Sequence, residues 1–138
     1  MTYLLDTNII SEIQKPKPNH GVTTFLDSIK ASQMHISSIT IAEISYGINR
    51  LPKGKKKKNL KQNFNKIKAT FSSRIIPFTE DTAEAYGAVM ARREKNGIIV
   101  DAFDTMLIAQ AKIFGLIIIT RNEKHFLNEE VKIINPFE

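Results

Sequence analysis

The stretch LLDTNIIS, Leu4 to Ser11, places one carboxylate, Asp6, between an apolar run and a segment of helical spacing. Thr2 to Leu5 is short and apolar, as a buried strand is, and Thr7 to Gln14 then repeats isoleucine at helical intervals. Asp6 is therefore predicted to lie where a strand ends and a helix begins. A carboxylate at such a junction can cap the helix, so this stretch alone leaves its role open.

Strand-like apolar runs alternate with segments of helical periodicity along the whole chain. The strands are predicted at Thr2 to Leu5, Met34 to Ser37, Ile75 to Phe78, Leu116 to Thr120 and Val131 to Ile134. This alternation predicts an α/β fold, a three-layer sandwich in which a mainly parallel sheet of about five strands is flanked by helices. Because no internal repeat or linker divides the sequence, one domain over residues 1–138 is expected.

Composition narrows the classes of function. Cysteine is absent and the three histidines lack the spacing of a zinc site, which excludes disulfide frameworks, thiol nucleophiles and Cys/His zinc folds. No apolar run approaches the roughly 20 residues that span a bilayer, and no basic leader precedes the first strand, so a soluble, unprocessed cytoplasmic protein is expected. The formal charge of +6 favours an anionic partner, with nucleic acid the first candidate.

Two further carboxylates, Glu43 and Asp104, resemble Asp6 in their predicted positions. Glu43 falls in the first turn of a helix predicted from Thr40 to Leu51, and Asp104 in the first turn of one predicted from Ala102 to Phe114. Sites in parallel sheets form at the carboxyl ends of the strands. Asp6 follows the first predicted strand, Glu43 lies a few residues after the second and Asn122 follows the fourth, so we expect these residues to share one crevice. We expect Asp104, at the start of its own helix, to converge with Asp6 and Glu43.

Three carboxylates in one crevice would repel one another and raise the pKa of at least one of them, unless a cation neutralises them. Oxygen ligands without cysteine or histidine suit Mg²⁺ or Mn²⁺. Such an ion polarises a phosphate and activates water, and in-line displacement of the 3′ oxygen leaves a 5′ phosphate. We predict Asp6 as the central ligand, Asp104 as a ligand directly or through water, and Glu43 as a ligand or water-positioning group.

Each carboxylate also has a structural explanation. Thr40 and Glu43 match the capping box, in which the glutamate only accepts a backbone N–H at the helix start. Asp101 can cap the helix that contains Asp104, and the Asp104 carboxylate can complement the helix dipole. Structural and catalytic roles can coexist, because a helix N-terminus holds a carboxylate rigidly.

Four blocks stand out: LLDTNIIS, TIAEISYGI from Thr40 to Ile48, FDTMLIAQA from Phe103 to Ala111, and ITRNEKHF from Ile119 to Phe126. Together they resemble the PIN-domain family, specifically the VapC-like toxins of bacterial toxin–antitoxin pairs. Their order and spacing span essentially the whole chain, which makes the match more specific than any single block. The resemblance implies an Mg²⁺- or Mn²⁺-dependent endoribonuclease, a small antitoxin encoded nearby, and a homodimer.

The resemblance also implies roles for individual residues. The acidic triad of the family is matched by Asp6, Glu43 and Asp104, the polar residues that brace its first aspartate by Thr7 and Asn8, and the threonine after the fourth strand by Thr120. Many relatives carry a fourth aspartate where this chain has Asn122. Because an amide brings no charge, a second tightly held metal is in question, and Asp101 or Glu123 could compensate.

Basic residues are candidate RNA contacts. The run KGKKKK opens an amphipathic helix, so Lys55 and Lys56 could bind the RNA backbone or form a solvated helix start. Arg121 and Lys124 flank the predicted site and are candidate substrate contacts. His125 has no partner at a recognisable spacing, so a loop or substrate-contact role is favoured for it.

Other enzyme classes that open with a strand and an aspartate do not fit. The haloacid-dehalogenase pattern needs a second aspartate where Asn8 stands, and a receiver domain needs paired early acids. No P-loop or G-x-S-x-G motif is present. The remaining alternatives are a catalytically inactive PIN-like module that binds RNA or protein, and a DNA nuclease.

Overall fold

The computed structural model describes all of residues 1–138, arranged around one sheet of five short strands. The strands are Tyr3–Leu5 (β1), Met34–Ser37 (β2), Ile75–Ile76 (β3), Ile117–Ile119 (β4) and Ile133–Ile134 (β5). The helices are Thr7–Ile13 (α1), His20–Asp27 (α2), Ser38–Asn49 (α3), Lys55–Thr70 (α4), Glu80–Lys95 (α5) and Ala102–Phe114 (α6). Two 3-10 turns, Ala31–Gln33 and Glu123–Phe126, complete the regular structure. None of the six helices has the length and hydropathy of a membrane-spanning segment.

The sheet has the strand order β3-β2-β1-β4-β5, and every pairing is parallel. This confirms the predicted α/β sandwich with a parallel sheet. The chain moves outward from β1 to β2 and β3, then returns to the other side of β1 for β4 and β5. The direction of winding therefore changes between β1 and β4, and a crevice opens at the carboxyl ends of strands at such a switch point.

Side chains alternate along β1 and divide the core into two clusters. Tyr3 and Leu5 pack into one cluster with Ile9 of α1, whereas Leu4 packs into the other with Leu107 of α6. Helices α1 and α2 thus cover one face of the sheet, and α5 and α6 cover the other. Strands buried on both faces read as continuous apolar runs, which is why they were visible in the sequence.

The buried side chain of Gln110, in α6, forms hydrogen bonds at the ends of β2 and β3. Gln110 accepts the Ser37 hydroxyl at the end of β2 and donates Nε2 to the carbonyls of Ile76 and Pro77, at 3.2 and 3.1 Å. Strand β3 ends at Ile76, earlier than the predicted Phe78. Pro77 has no N–H to continue the ladder, and its carbonyl is bound by Gln110 instead.

Helix α3 begins at Ser38, one half-turn before the predicted Thr40. Ser37 ends β2 and also caps the helix, since its hydroxyl accepts the N–H of Ile39 at 2.9 Å. Glu43 consequently lies in the second turn, and its predicted place in the first turn was wrong. The capping box is not formed, because Thr40 lies inside the helix with its hydroxyl buried and unpaired.

Candidate active site: an acidic cleft at the switch point

An open cleft of about 330 Å³ lies at the carboxyl ends of the central strands. It is lined by Asp6, Thr7, Asn8, Ser11, Glu43, Asp101, Asp104, Asn122 and His125. None of these residues is hydrophobic, and four carry carboxylates. The structure therefore brings the three predicted carboxylates into one crevice, together with Asp101.

Asp6 accepts more hydrogen bonds than the other three carboxylates of the cleft. It caps α1, is only 5% exposed, and its backbone N–H donates to Ile119 O of β4 at 3.0 Å. Its Oδ1 accepts the N–H of Thr7 at 2.7 Å, and its Oδ2 accepts from Asn8 Nδ2 at 3.2 Å and Thr120 Oγ1 at 2.8 Å. Burial raises the pKa of Asp6, although these donors oppose the shift. The Asp6 side chain therefore caps α1 and lines the cleft at the same time.

The loop that follows β4 is fastened to α1 through the same groups. Thr120 Oγ1 accepts the N–H of Asn122 at 3.0 Å and also binds Asn8 Nδ2 at 3.2 Å. Asn8 Oδ1 accepts the N–H of Arg121 at 3.0 Å. Fully satisfied polar networks of this kind rigidify a site. They keep Asn122 at the edge of the cleft.

Glu43 reaches the cleft from α3 and is linked to α1 by Thr7. The Thr7 hydroxyl donates to Glu43 Oε1 at 3.0 Å, while the Thr7 N–H binds Asp6. Partial burial raises the pKa of Glu43, the Thr7 hydrogen bond lowers it, and the charges of Asp6, Asp104 and Asp101 raise it further. The repulsion expected among clustered carboxylates is therefore present.

Asp104 lies in the first turn of α6, as predicted. Asp101 caps this helix by accepting the N–H of Asp104 on Oδ1 at 3.0 Å. Burial and the charges of Asp101 and Asp6 raise the pKa of Asp104 to about 6, against the opposing effect of His125. A carboxyl group that titrates near neutral pH in a cleft is a mark of functional sites.

His125 provides the contact that sequence reasoning missed. It belongs to the 3-10 turn Glu123–Phe126, and its Nδ1 lies 2.8 Å from Asp104 Oδ2. A loop or substrate-contact role was favoured for this histidine because the sequence shows no partner at a recognisable spacing. The two residues lie far apart in the chain and meet only through the packing of this turn against α6. In the sequence, the feature that indicated a place near the site was the position of His125 in the block ITRNEKHF. The neighbouring Phe126 is buried in the structure.

The remaining candidates occupy different surroundings. Arg121 does not line the cleft; its guanidinium carbon lies 4.8 Å from the ring centroid of Phe137. Glu123 is exposed outside the cleft lining, which leaves Asp101 as the additional acid that reaches it. Lys124 lines an adjoining pocket on the α6 side.

Two further depressions adjoin the cleft, one where α1 lines it and one where α6 lines it. A groove of about 340 Å³ runs between α1, α3 and α4, and it shares Thr7 and Ser11 with the cleft. Lys56 lines this groove, whereas Lys55 lies exposed at the start of α4. A pocket of about 350 Å³ on the other side shares Asp104 with the cleft and is lined in part by Lys124. The acidic centre therefore lies between two depressions that each carry a lysine.

The donor set fits a hard divalent cation in its chemistry, since only oxygen donors and one imidazole line the cleft. No three acidic or histidine side chains are spaced as a closed ligand cluster. Mg²⁺ does not need one, because it keeps several waters and binds through one or two carboxylates plus substrate phosphate. Asp6 and Asp104 are the residues that would hold the ion, with Glu43 at the side of the cleft.

Comparison with known proteins agrees with this architecture. A model of the PIN domain matches residues 3–129. The toxin FitB of Neisseria gonorrhoeae is 36% identical over 135 residues, 97% of each chain. The tRNA(fMet)-specific endonuclease VapC of Shigella flexneri is 33% identical over 128 residues, 91% of this chain and 90% of the relative.

Solved structures give the same result. The crystal structure of FitAcB from Neisseria gonorrhoeae matches with a TM-score of 0.86 and 36% identity over 98% of both chains. A toxin–antitoxin complex from Klebsiella pneumoniae matches with a TM-score of 0.72 and 27% identity over 99% of both chains. The similarity to VapC-like toxins inferred from the four sequence blocks is confirmed, and the chain belongs to the PIN-domain family.

Proposed function

We propose that this protein is the toxin of a toxin–antitoxin pair, a divalent-metal-dependent endoribonuclease that hydrolyses RNA phosphodiester bonds. The observation that carries the proposal is the cleft in which Asp6, Glu43 and Asp104 converge at the switch point of a PIN-domain sheet. The relatives named as a toxin and as a tRNA-specific endonuclease support it. We take residues 1–138 to act as one nuclease domain.

The proposed metal is Mg²⁺ or Mn²⁺, held by Asp6 and Asp104, with Glu43 as a further ligand or the group that positions water. When bound, the ion supplies polarisation of the scissile phosphate and activation of water. Thr7, Asn8 and Thr120 keep the Asp6 carboxylate in one orientation through the hydrogen bonds described above.

Glu43 is suited to handle a proton. Its carboxylate lines the cleft together with Asp6 and Asp104, where a metal-bound water would be within the same cavity. Only Oε1 is bound by Thr7, so Oε2 makes no hydrogen bond within the chain. We assign to Oε2 the contact with the attacking water.

Basic residues around the cleft are proposed to bind the RNA backbone. Lys56 and Lys124 line the depressions on either side of the acidic centre, so an extended RNA strand that crosses the cleft would pass both. Lys55 adds charge at the exposed start of α4. Arg121 is a weaker candidate, because its guanidinium lies over Phe137.

The partners follow from the same family relationship. We propose a small antitoxin that neutralises the toxin, because solved structures of this fold include a toxin–antitoxin complex. We also propose that the toxin acts in the cytoplasm, where RNA is available, and that it forms a homodimer.

The decisive experiment incubates the purified protein with labelled RNA and Mg²⁺ or Mn²⁺, with and without EDTA. Cleavage that requires the metal, and that is lost in Asp6→Asn and Asp104→Asn, supports the proposal. Asp27→Asn is the matched control, because Asp27 lies at the end of α2 outside the cleft, and it should cleave as the wild type does. Circular dichroism verifies that all three variants are folded.

The alternative functions predict different results in this assay. An inactive PIN-like binding module would bind RNA without cutting it under any divalent metal. A DNA nuclease would cut single-stranded DNA in preference to structured RNA. Either result would overturn the proposal.

A further inference from the structure

Two consecutive arginines at the end of α5 hold the segment that follows β4. Arg92 binds the Glu129 carboxylate through both terminal nitrogens, with Nη2–Oε1 at 2.6 Å and Nη1–Oε2 at 3.3 Å. Arg93 donates Nη2 to the carbonyl of His125 at 3.1 Å, and its Nη1 lies 4.0 Å from Glu129 Oε2. The arginines and Glu129 together form what we call the arginine clamp.

Within the arginine clamp, Arg93 and Glu129 are buried to an unusual degree for charged groups, whereas the Arg92 side chain is 40% exposed. Arg93 is 4% exposed and the Glu129 side chain 1% exposed. Arg93 Nε and Nη1 have no hydrogen-bond partner. Burying an incompletely satisfied charge is costly, and apolar side chains of similar volume often replace buried ion pairs without loss of stability. Core stability therefore does not explain why an arginine occupies position 93.

The contact that Arg93 makes points to that reason. The one hydrogen bond of its side chain reaches the backbone carbonyl of His125, whose own N–H donates to Asn122 O at 3.0 Å. The His125 ring in turn lies 2.8 Å from Asp104 Oδ2, through Nδ1. Since Phe126 is 1% exposed, the turn is anchored in the core directly beside the histidine. A continuous chain of contacts thus runs from Arg93 through His125 to Asp104.

We infer that the arginine clamp positions His125, and through it the Asp104 carboxylate, for a divalent cation in the cleft. With Oδ2 held by His125, Oδ1 makes no hydrogen bond within the chain and is left for the ion. Partners that hydrogen-bond a metal-binding carboxylate fix its orientation, and their loss typically lowers metal affinity by about 10–100-fold. Arg93 and Glu129 are therefore positioning residues, and the inference rests on the proposed metal-dependent function.

The test measures Mn²⁺ binding to the full chain by isothermal titration calorimetry, without RNA. We expect His125→Ala and Arg93→Met each to weaken Mn²⁺ binding by about 10-fold or more. Because Arg93 acts through His125, Arg93→Met should change affinity by less than about twofold in the His125→Ala background. His125→Asn, whose amide can replace the Nδ1–H donor, should restore most of the affinity.

Arg74→Met is the matched control. Arg74 also has a buried Nε without a partner and donates Nη2 to a carbonyl, that of Thr70 at 2.8 Å, but it precedes β3 at the opposite edge of the sheet. It should leave Mn²⁺ affinity unchanged. If Arg93→Met does not unfold cooperatively, Glu129→Gln, which keeps the side-chain shape, tests the clamp with the same expected loss.

The outcomes separate this inference from the proposed function. Wild-type Mn²⁺ affinity in the clamp variants, or additive losses in the double variant, would overturn the positioning role even if the protein cleaves RNA. Conversely, weakened Mn²⁺ binding with the expected coupling would support it even if the wild type leaves RNA intact.

Discussion

Thr120 donates its hydroxyl to Asp6 Oδ2 at 2.8 Å and so joins the residues that follow β4 and β1, on either side of the switch point. Both side chains are buried. Replacing Thr120 with valine keeps the volume and removes this donor, together with the acceptor for the N–H of Asn122. We expect Thr120→Val to lower RNA cleavage by about 10–100-fold at saturating metal.

Thr82→Val is the control for this substitution. Thr82 is equally buried, but its hydroxyl pairs with Thr79 at the start of α5 and makes no contact with the carboxylates. Both variants should lose stability on the order of 1–2 kcal/mol, measured by urea denaturation. Equal cleavage rates in the two variants would contradict a specific role for Thr120.

The raised pKa of Asp104 predicts how stability depends on pH. Its pKa is about 6 in the folded protein against 3.8 for an unperturbed aspartate. Between these values the folded chain holds a proton that the unfolded chain has released, so stability falls as pH rises through this window. The raised pKa values of Asp6 and Glu43 act in the same direction. Without metal, Tm should rise by roughly 2–5 °C when the pH is lowered from 7.5 to 5.5.

Asp104→Asn checks this assignment, because the asparagine side chain does not titrate. Its Tm should exceed that of the metal-free wild type at pH 7.5 and change less with pH. Mn²⁺ at a hundredfold excess over its Kd should stabilise the wild type by about 2.7 kcal/mol at pH 7.5. A wild-type Tm that is flat from pH 7.5 to 5.5 would show that Asp104 does not titrate there.

Asn122 lines the cleft where an additional charge could act on a cation. We expect Asn122→Asp to bind Mn²⁺ more tightly, by about 10-fold, because a carboxylate adds charge where the amide supplies none. Titration calorimetry gives both affinity and stoichiometry. Asn59→Asp on the exposed face of α4 adds the same charge outside the cleft and should leave both values unchanged.

Lys55 and Lys56 should contribute to RNA affinity through phosphate contacts. Their double alanine variant should bind RNA more weakly, and the slope of log K against log salt should decrease by about 1.4 for two single-strand contacts. Fluorescence anisotropy at several salt concentrations measures this slope. The double variant Lys112→Ala, Lys132→Ala removes the same charge in the last turn of α6 and immediately before β5, and it should retain the wild-type slope.

The fold and the identity of the acidic residues were predictable because both depend on local patterns. Apolar runs marked all five strands, and the alternation of strands with helices indicated a parallel sheet. In a parallel sheet the carboxyl ends of strands share an edge, so Asp6 and Glu43 could be assigned to one crevice before any contact was known. The start of α3 was misplaced because Ser37 serves both as the last strand residue and as the helix cap.

By itself, therefore, the sequence determined the layers of the fold, the carboxylates of the cleft and the family, because periodicity and residue type are properties of short segments. Only the tertiary structure decided which side chains touch: Thr7 with Glu43, His125 with Asp104, and Arg93 with the backbone of His125. Each pair joins elements that are distant in the chain. Such contacts depend on how helices and turns pack across the sheet, which no local pattern specifies.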